Sequence, residues 1–561
     1  MKRSRMPKLV ESLRGYNLRT FLSDLIAGLT VGLVALPLAM AFAISSGVKP
    51  EAGLYCAVVA GFLVSALGGS RTQISGPTGA FVVIVFGIVV QHGLNGLLVC
   101  TVMAGILLVV LGLTGLGTAV QFIPRPVVVG FTNGIAVLIA STQIKDFFGL
   151  RIETVPGDFV GRMNALLTHF HTIDLTTTLL AVGALAVILL CMRFVKKVPG
   201  SIVALLLGTV VVVAFGLSVE TIGSRFGGIP NGLPVLTVPQ FHPDMIPALL
   251  SPALTVALLG AIESLMSAVV ADRMSGDKHY PNVELVAQGL ANIAVPFVGG
   301  IPATGAIART ATNIRSGAKT PVAGMVHALT LLAVLLFAAP LARHIPLAVL
   351  AAILMVVSYN MGEWREIPKL LRMSWATIAV WLATFTLTVF VDLTVAVQVG
   401  IVLAALLFIR KVAKTTTVEK VTREYIEDGR LHILQDKHIP DYVTIVRIHG
   451  PFLFGTVEKL SVITDHIEQL TPVVILRLRN MTALDATGLL ALEDLADKLH
   501  AAGRHLILCG ARLQPAKLMR QAKFERHVGR DNICPHIKAA LERAEAIYPR
   551  LATTRVIDHT N

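Results

Sequence analysis

From Ser23 to about Val412 the chain alternates long apolar runs with short polar interruptions. Windows bounded by Gly, Pro or charge give fourteen apolar segments, at about 23–47, 52–68, 78–91, 95–114, 127–145, 174–193, 200–218, 248–271, 283–298, 304–315, 321–340, 344–359, 374–390 and 393–412. Most have the length of a membrane-spanning helix. The segments at 78–91 and 304–315 do not: as helices they rise about 21 and 18 Å, against a hydrocarbon core of roughly 30 Å. Each follows a Gly/Pro-rich, extended-looking stretch, GGSRTQISGP and VGGIP. Irregular backbone at membrane depth is tolerated only where it lines a protein cavity. From about Val443 the period changes. VTIVRIHG, VVILRLRN and HLILCG predict buried strands, while GTVEKLSVITDHIEQL, ATGLLALEDLADKLHAAG and CPHIKAALERAEAIY predict helices. Strand–helix alternation predicts a cytoplasmic α/β domain.

Two short words recur at nearly one shift. LTVGL at 29–33 returns as LTVAL at 254–258, a shift of 225, and PTGAF at 77–81 returns as ATGAI at 303–307, a shift of 226. They fall at the starts of segments 1 and 8 and of segments 3 and 10. Seven spans per half is odd, so the halves insert upside down relative to each other, as a 7+7 inverted repeat. Segment 3 is then expected to start its helix at Thr78 and segment 10 at Thr304, with their N-termini facing each other near the midplane. Each N-terminus offers unpaired N–H groups and about half a positive charge. Gly79 and Gly305 leave the backbone open to close approach. Facing helix starts suit an anion before any side chain is counted.

Composition agrees with a membrane domain. The 561 residues are 54% hydrophobic and 15% charged, with a mean hydropathy of +0.73, whereas soluble domains carry about 25% charged residues. The net charge of +14 is explained by basic loops rather than by nucleic acid. Lys2, Arg3, Arg5, Lys8, Arg14 and Arg19 precede the first span, and Arg71, Arg125, Arg193, Lys196, Lys197, Arg315, Lys319, Arg365, Lys369 and Arg372 sit in alternate loops. Both termini are thereby expected in the cytoplasm, which an even number of spans satisfies. The first apolar run carries Pro37 and no small-residue cleavage site follows it, so it is expected to be retained. The five cysteines show no paired spacing; buried filler or an inert thiol outweighs a disulfide or metal site.

Few charges fall inside the apolar runs. Arg309 lies one turn into segment 10, and its planar guanidinium suits carboxylate, sulfate or bicarbonate. Either it serves substrate or site electrostatics, the default for an ionisable group at membrane depth, or it belongs to a structural ion pair. Glu263 sits near the middle of segment 8, with Ser267 on the same face at i+4. A carboxylate that must be protonated before an anion enters would give proton–anion symport; a plain Glu263–Arg309 salt bridge is the alternative. The repeat places Leu38 opposite Glu263, so only one half carries the charge. Phe42, one turn beyond Leu38, packs either against a ligand or in the core. Asp24, Lys145, Asp146, Asp272, Arg273 and Asp392 read as anchors or loop charges near the membrane surfaces, not as ligands. No HExxH, Walker or GxSxG pattern occurs, and no cofactor or metal site is expected. In the tail, LDATG places Asp485 as a helix N-cap, with Thr487 beside it.

LPLAMAFAISSGVKPEAGLY (36–55), GGSRTQISGPTGAF (68–81), QIKDFFGL (143–150) and GGIPATGAIARTATNIRSGAKTP (299–321) resemble the SulP family of anion transporters, also called solute carrier family 26, and the tail resembles its STAS domain. The resemblance implies a core of segments 1–4 and 8–11, a gate of segments 5–7 and 12–14, an elevator-like movement and a homodimer. It implies a substrate site at Leu38, Phe42, Thr78, Gly79, Thr304, Gly305, Ala306 and Arg309, and proton coupling at Glu263, a role that Ser267 is expected to share by its i+4 spacing. Chloride-handling animal members have Gln and a second Phe where this chain has Leu38 and Thr78. The run 260–293 is similar to the bacterial C4-dicarboxylate branch. Ala486 departs from the Asp-Ser-Ser/Thr-Gly turn of phospho-regulated STAS domains.

The expectation is therefore a non-enzymatic, multi-pass protein of the bacterial inner membrane. It has an N-terminal segment 1–22, a transport domain 23–412, a linker 413–440, a STAS domain 441–550 and a tail 551–561. It would move small anions with protons, C4-dicarboxylates first and sulfate or bicarbonate next. Its partners would be its substrate, protons, the lipid bilayer, a second copy and a cytoplasmic protein at the STAS domain, with no nucleic acid. An uncoupled anion channel or exchanger and a membrane-anchored signalling scaffold are the other classes.

Overall fold

The computed structural model describes residues 6–117, 124–153, 155–194, 199–230, 232–391, 393–421 and 439–558. Lys2, Arg3, Arg5, Lys196, Lys197 and Asp392 lie outside them. The chain divides into two compact units, Met1–Ala404 and Ala405–Asn561.

In the first unit all fourteen apolar segments are helical to within a few residues. They are α1 (Leu18–Ser45), α2 (Pro50–Leu67), α3 (Gly79–Leu113), α4 (Arg125–Phe148), α5 (Leu175–Phe194), α6 (Gly200–Phe215), α7 (Met245–Ser275), α8 (Pro281–Ala294), α9 (Ile307–Arg315), α10 (Val322–Phe337), α11 (Leu347–Met361), α12 (Trp375–Phe390) and α13 (Leu393–Thr415). Segments 3 and 4 run on as one element, α3, broken where Gly93 takes φ 67°. Seven helices among the described residues are long and apolar enough to cross a membrane. Local signals set the ends: the Asn17 side chain caps α1 by accepting from Thr20 N at 2.9 Å, Pro50 opens α2, and Gly149 and Gly216 close α4 and α6 in the left-handed conformation.

Packing follows the repeat. α1, α2, α3 and α7–α10 pack mainly on one another, and α4 packs with α11 and α12 while α5 packs with α6 and α11. The contacts come in related pairs: α8 on the second half of α3 matches α10 on α2, and α10 on α1 matches α7 on α3. Small residues bring the backbones together. A methyl group added at Gly105 of α3 would meet Gly289 O at 2.7 Å, and one at Gly289 would meet Gly105 O at 2.6 Å.

The stretches before the two short helices are extended, as their Gly/Pro content predicts. They pair: β1 (Ser75–Gly76) runs antiparallel to β2 (Thr304–Gly305), with Ser75 opposite Gly305 and Gly76 opposite Thr304. This pairing satisfies backbone groups that lipid cannot.

The second unit holds a five-stranded sheet. Its strands are β3 (Thr417–Val421), β4 (Val443–Phe452), β5 (Val473–Leu484), β6 (His505–Cys509) and β7 (Ile533–Cys534), hydrogen-bonded in that order. β3 is antiparallel to β4 and the rest are parallel. Helices α14 (Ala486–Ala501), α15 (Leu513–Gln521) and α16 (Ile537–Asp558) cover it. Asp485 caps α14, accepting from Gly488 N at 2.8 Å. The helix expected over 455–470 is instead a series of short turns. Leu460, Ile463 and Leu470 are still buried there, so the apolar spacing survives without a continuous helix. Of the expected linker 413–440, residues up to Thr415 continue α13 and Thr417–Val421 form β3.

Candidate functional site

Thr78 is the N-cap of α3 and Gly79 its first residue. Segment 10 begins its helix later than expected, at Ile307, with Ala306 as N-cap. The reason is local. Thr304 and Gly305 belong to β2, and Ala306 N donates to Ile74 O at 2.8 Å, which keeps the backbone extended. Thr304 is buried, with its hydroxyl donating to Gly260 O at 2.9 Å and paired with Ser264 Oγ at 2.8 Å. Gly305 N donates to Ser264 Oγ at 3.1 Å. Both residues thus fasten β2 to α7. The exposed end of α9 is Ile307 and Ala308, whose N–H groups have no intrahelical partner.

The start of α3 is covered. A methyl group at Gly79 would lie 3.3 Å from Phe42 Cε1 and 3.0 Å from both Ile139 Cδ1 and Met361 Sδ. Phe42 of α1 therefore lies against this helix start, and Ile139 of α4 and Met361 of α11 meet it from the gate side. Leu38, one turn before Phe42, is 9% exposed and Phe42 is 4% exposed.

Arg309 joins the two halves. It is 3% exposed, and its Nη2 donates to Pro77 O, the carbonyl just before the α3 cap. Its Nη1 is buried and has no hydrogen-bond partner among the described residues. Gly76 is what lets the guanidinium pass. It takes φ +153°, and a methyl group there would meet Arg309 Nη1 at 2.8 Å.

Glu263 of α7 is partly exposed and accepts a hydrogen bond from Thr78 Oγ1 at 2.8 Å. No Glu263–Arg309 ion pair within 4 Å occurs among the described residues, so the plain salt bridge is not formed. Ser267 does not join Glu263. Its hydroxyl pairs with Thr310 Oγ1 at 3.0 Å, and Thr310 Oγ1 also accepts from Ile74 N at 3.0 Å. It supports β1, and the expected coupling role has no contact behind it. Asp24 is no surface anchor either. It is fully buried and accepts from Lys319 N at 2.7 Å, Thr320 N at 3.1 Å and Thr320 Oγ1 at 2.5 Å, tying α1 to the loop after α9. No cluster of His, Cys, Asp and Glu that could hold a metal occurs among the described residues.

Sequence reading missed the polar face of α8. Glu284, Gln288 and Asn292 recur at i, i+4 and i+8 and are all buried. Glu284 accepts from Gly69 N at 2.9 Å, Gln288 Nε2 donates to Ser75 Oγ at 2.6 Å, and Asn292 brackets Ala303, bonding both its N and its O at 2.8 Å. One helix face thus fixes both extended stretches. The signal was three polar residues at a spacing of four inside an apolar segment. Gln73 and Ser264 had no such signal. Gln73 Nε2 donates to Ser264 O at 3.2 Å.

Two paired extended strands that lead into two helix starts, with one buried Arg joining the halves of an inverted repeat, are the layout of an anion transporter. The pattern of the sulfate permease family matches residues 21–384 and that of the STAS domain matches residues 435–540. The chain belongs to this family, the SulP or solute carrier 26 family of membrane anion transporters, and is not an enzyme. It is 44% identical to "Putative sulfate transporter YvdB" of Bacillus subtilis, over 93% of this chain and 98% of that protein. It is 32% identical to the bicarbonate transporter BicA of Picosynechococcus, over 95% and 96%. Among solved structures, murine Slc26a9, described as an anion transporter in the inward-facing state, superimposes with a TM-score of 0.85 at 17% identity, over 97% of this chain and 96% of that one; this likeness is one of fold. The transmembrane domain of a cyanobacterial BicA matches at 34% identity with a TM-score of 0.62, over 70% of this chain and 98% of that one.

Proposed function

We propose that the chain is a proton-coupled symporter of small anions, with Glu263 as the proton carrier and C4-dicarboxylates such as succinate and fumarate as the first substrate class. The Thr78–Glu263 hydrogen bond carries this reading. While Glu263 is ionised, the proton of the Thr78 hydroxyl is committed to it. Its charge also opposes an anion at the start of α3. Protonation removes the charge and frees the hydroxyl to turn toward substrate. The anion then lies between the N–H groups at Gly79 and at Ile307 and Ala308, beside Phe42 and Leu38. Arg309, held by Pro77 O, supplies the fixed positive charge, with Nη1 as a spare donor. Release on the other side follows an elevator-like shift of core against gate, at the surface where Ile139 and Met361 meet Gly79. The protein would work as a homodimer in the bacterial inner membrane with both termini cytoplasmic, and a cytoplasmic partner would act through the STAS domain.

The names of the relatives favour a second reading, in which the same site takes sulfate or bicarbonate. The deciding experiment is uptake into proteoliposomes, screening succinate, fumarate, aspartate, sulfate and bicarbonate while recording proton movement. Substrate-linked proton entry with one of the dicarboxylates is expected. Transport of sulfate or bicarbonate alone would replace the substrate class, and anion movement without protons would indicate a channel or exchanger. Arg309→Ala is expected to abolish uptake of whichever anion is carried; unchanged uptake removes Arg309 from the site.

A further inference from the structure

A second basic site lies away from the transport residues. A short helix, Lys8–Ser12, precedes α1. It is locked in place: Lys8 N donates to Gly68 O at 2.9 Å, Lys8 Nζ lies 3.3 Å from the Asp277 carboxylate and 4.3 Å from the Tyr280 ring centre, and Tyr280 OH donates to Glu11 at 2.8 Å. Beside this latch is a cavity of about 250 Å³. Arg14, Arg71 and Lys319 line it, with Ser12, Tyr16, Thr20 and Thr320, whose hydroxyls already donate to Lys8 O, Asp24, Asn17 Oδ1 and Asp24.

Its charge is unbalanced. Glu11 is the one carboxylate on the wall, and it is already engaged by Tyr280 and Lys8. Arg71 reaches Asp277 at 3.2 Å. The side chains of Arg14 and Lys319 have no acidic partner within 4 Å among the described residues. Asp24, behind the wall, is consumed by Tyr16, Lys319 N and Thr320. Two cations without an acidic partner, with Arg71 beside them around one volume, suit a phosphate-type oxyanion. The neighbouring surface is apolar: Met6, Val10, Leu13 and Leu18 are all exposed at the same end of the bundle.

We propose that this cavity binds a phosphate-type oxyanion, presented as the headgroup of an anionic phospholipid. Basic pockets at the ends of membrane helices recognise such headgroups, and the exposed apolar residues offer its chains a path. Free inorganic phosphate is the other source of the same chemistry. Arg71 lies on the stretch that leads into β1, and Lys319 on the loop that leaves α9. A bound anion therefore clamps the two loops attached to the transport site. The proposal does not depend on which anion is transported.

The test uses the full chain, purified and stripped of lipid. Its melting temperature is measured with inorganic phosphate and in nanodiscs of phosphatidylglycerol or of phosphatidylcholine. The comparison protein is Arg14→Ala/Lys319→Ala, whose two side chains are exposed, so its melting temperature without anion should match that of the parent. Stabilisation by phosphatidylglycerol over phosphatidylcholine, weakened about tenfold or more in apparent affinity in the double variant, supports the lipid headgroup. Stabilisation by phosphate with the same loss assigns the site to a free anion and overturns the lipid assignment. Equal stabilisation of parent and double variant, or no stabilisation of the parent by either probe, overturns the site. If the double variant fails to fold, Arg14→Gln and Lys319→Gln are measured singly against the same criteria.

Discussion

Thr78 Oγ1 and Glu263 Oε2 lie 2.8 Å apart, although 185 residues separate them in the chain. The contact joins the cap of one half-helix to Glu263 of α7, a charge whose counterpart in the first repeat is Leu38. In the proposed mechanism this contact makes the start of α3 responsive to whether one carboxyl group carries a proton.

Removing the hydroxyl should therefore uncouple the site without emptying it. Thr78→Val leaves Glu263 without its donor, a loss of about 1.5–3 kcal/mol for a bond to a charged group. Uptake driven by a proton gradient is expected to fall at least about tenfold. Thr78→Ser, which keeps the hydroxyl, should stay near the parent. Equal uptake by Thr78→Val and the parent contradicts the role of the contact.

Gly76→Ala tests the passage of the Arg309 guanidinium. The added methyl group meets Nη1 at 2.8 Å, on a backbone at φ +153° that side chains avoid. Substrate affinity should drop while the purified protein still elutes as a folded species. Unchanged affinity in a binding titration would show that Arg309 can leave Pro77 O without consequence.

The polar face of α8 is predicted to act on stability. Asn292→Leu keeps the volume and removes both bonds to Ala303. Two buried backbone groups lose their partners, at about 1–3 kcal/mol each. The melting temperature should fall, whereas an exchange on the exposed face of the same helix, Leu290→Met, should leave it unchanged. Equal melting temperatures for Asn292→Leu and the parent would contradict a structural role for the bracket.

The latch around Lys8–Ser12 gives a pH dependence. The Tyr280 hydroxyl, and after it the Lys8 charge, hold Glu11 below the ordinary 4.5 of a glutamate. A lowered folded value means that the contribution is fully present above 4.5 and is lost as pH falls through the folded value. Between neutrality and 4.5 the parent and Glu11→Gln should therefore differ by a constant amount in melting temperature, and below that range the two should converge. A difference that grows on acidification contradicts the latch.

The parts of this site legible in the sequence are those written in local pattern. The fourteen segments follow from run lengths, the break near Gly93 from a short segment, and Arg309 and Glu263 from being charges where lipid permits few. The start of α9 was misplaced by three residues because nothing local shows that Thr304 and Gly305 pair with β1. Ser267 was paired with Glu263 by helical spacing, yet hydrogen bonding to Thr310 decides where its hydroxyl goes. Ile139 and Met361 at the gate surface look like any other apolar helix residue until Gly79 is set against them. Tertiary partners that lie far apart in the chain decide each of these features.

The most direct test of the account is uptake by Glu263→Gln in proteoliposomes carrying an imposed proton gradient, beside substrate exchange at equal pH. The variant is predicted to exchange substrate at close to the parent rate and to lose accumulation driven by the gradient. If it still concentrates substrate on the proton gradient as the parent does, Glu263 is not the proton carrier and the proposed coupling is wrong.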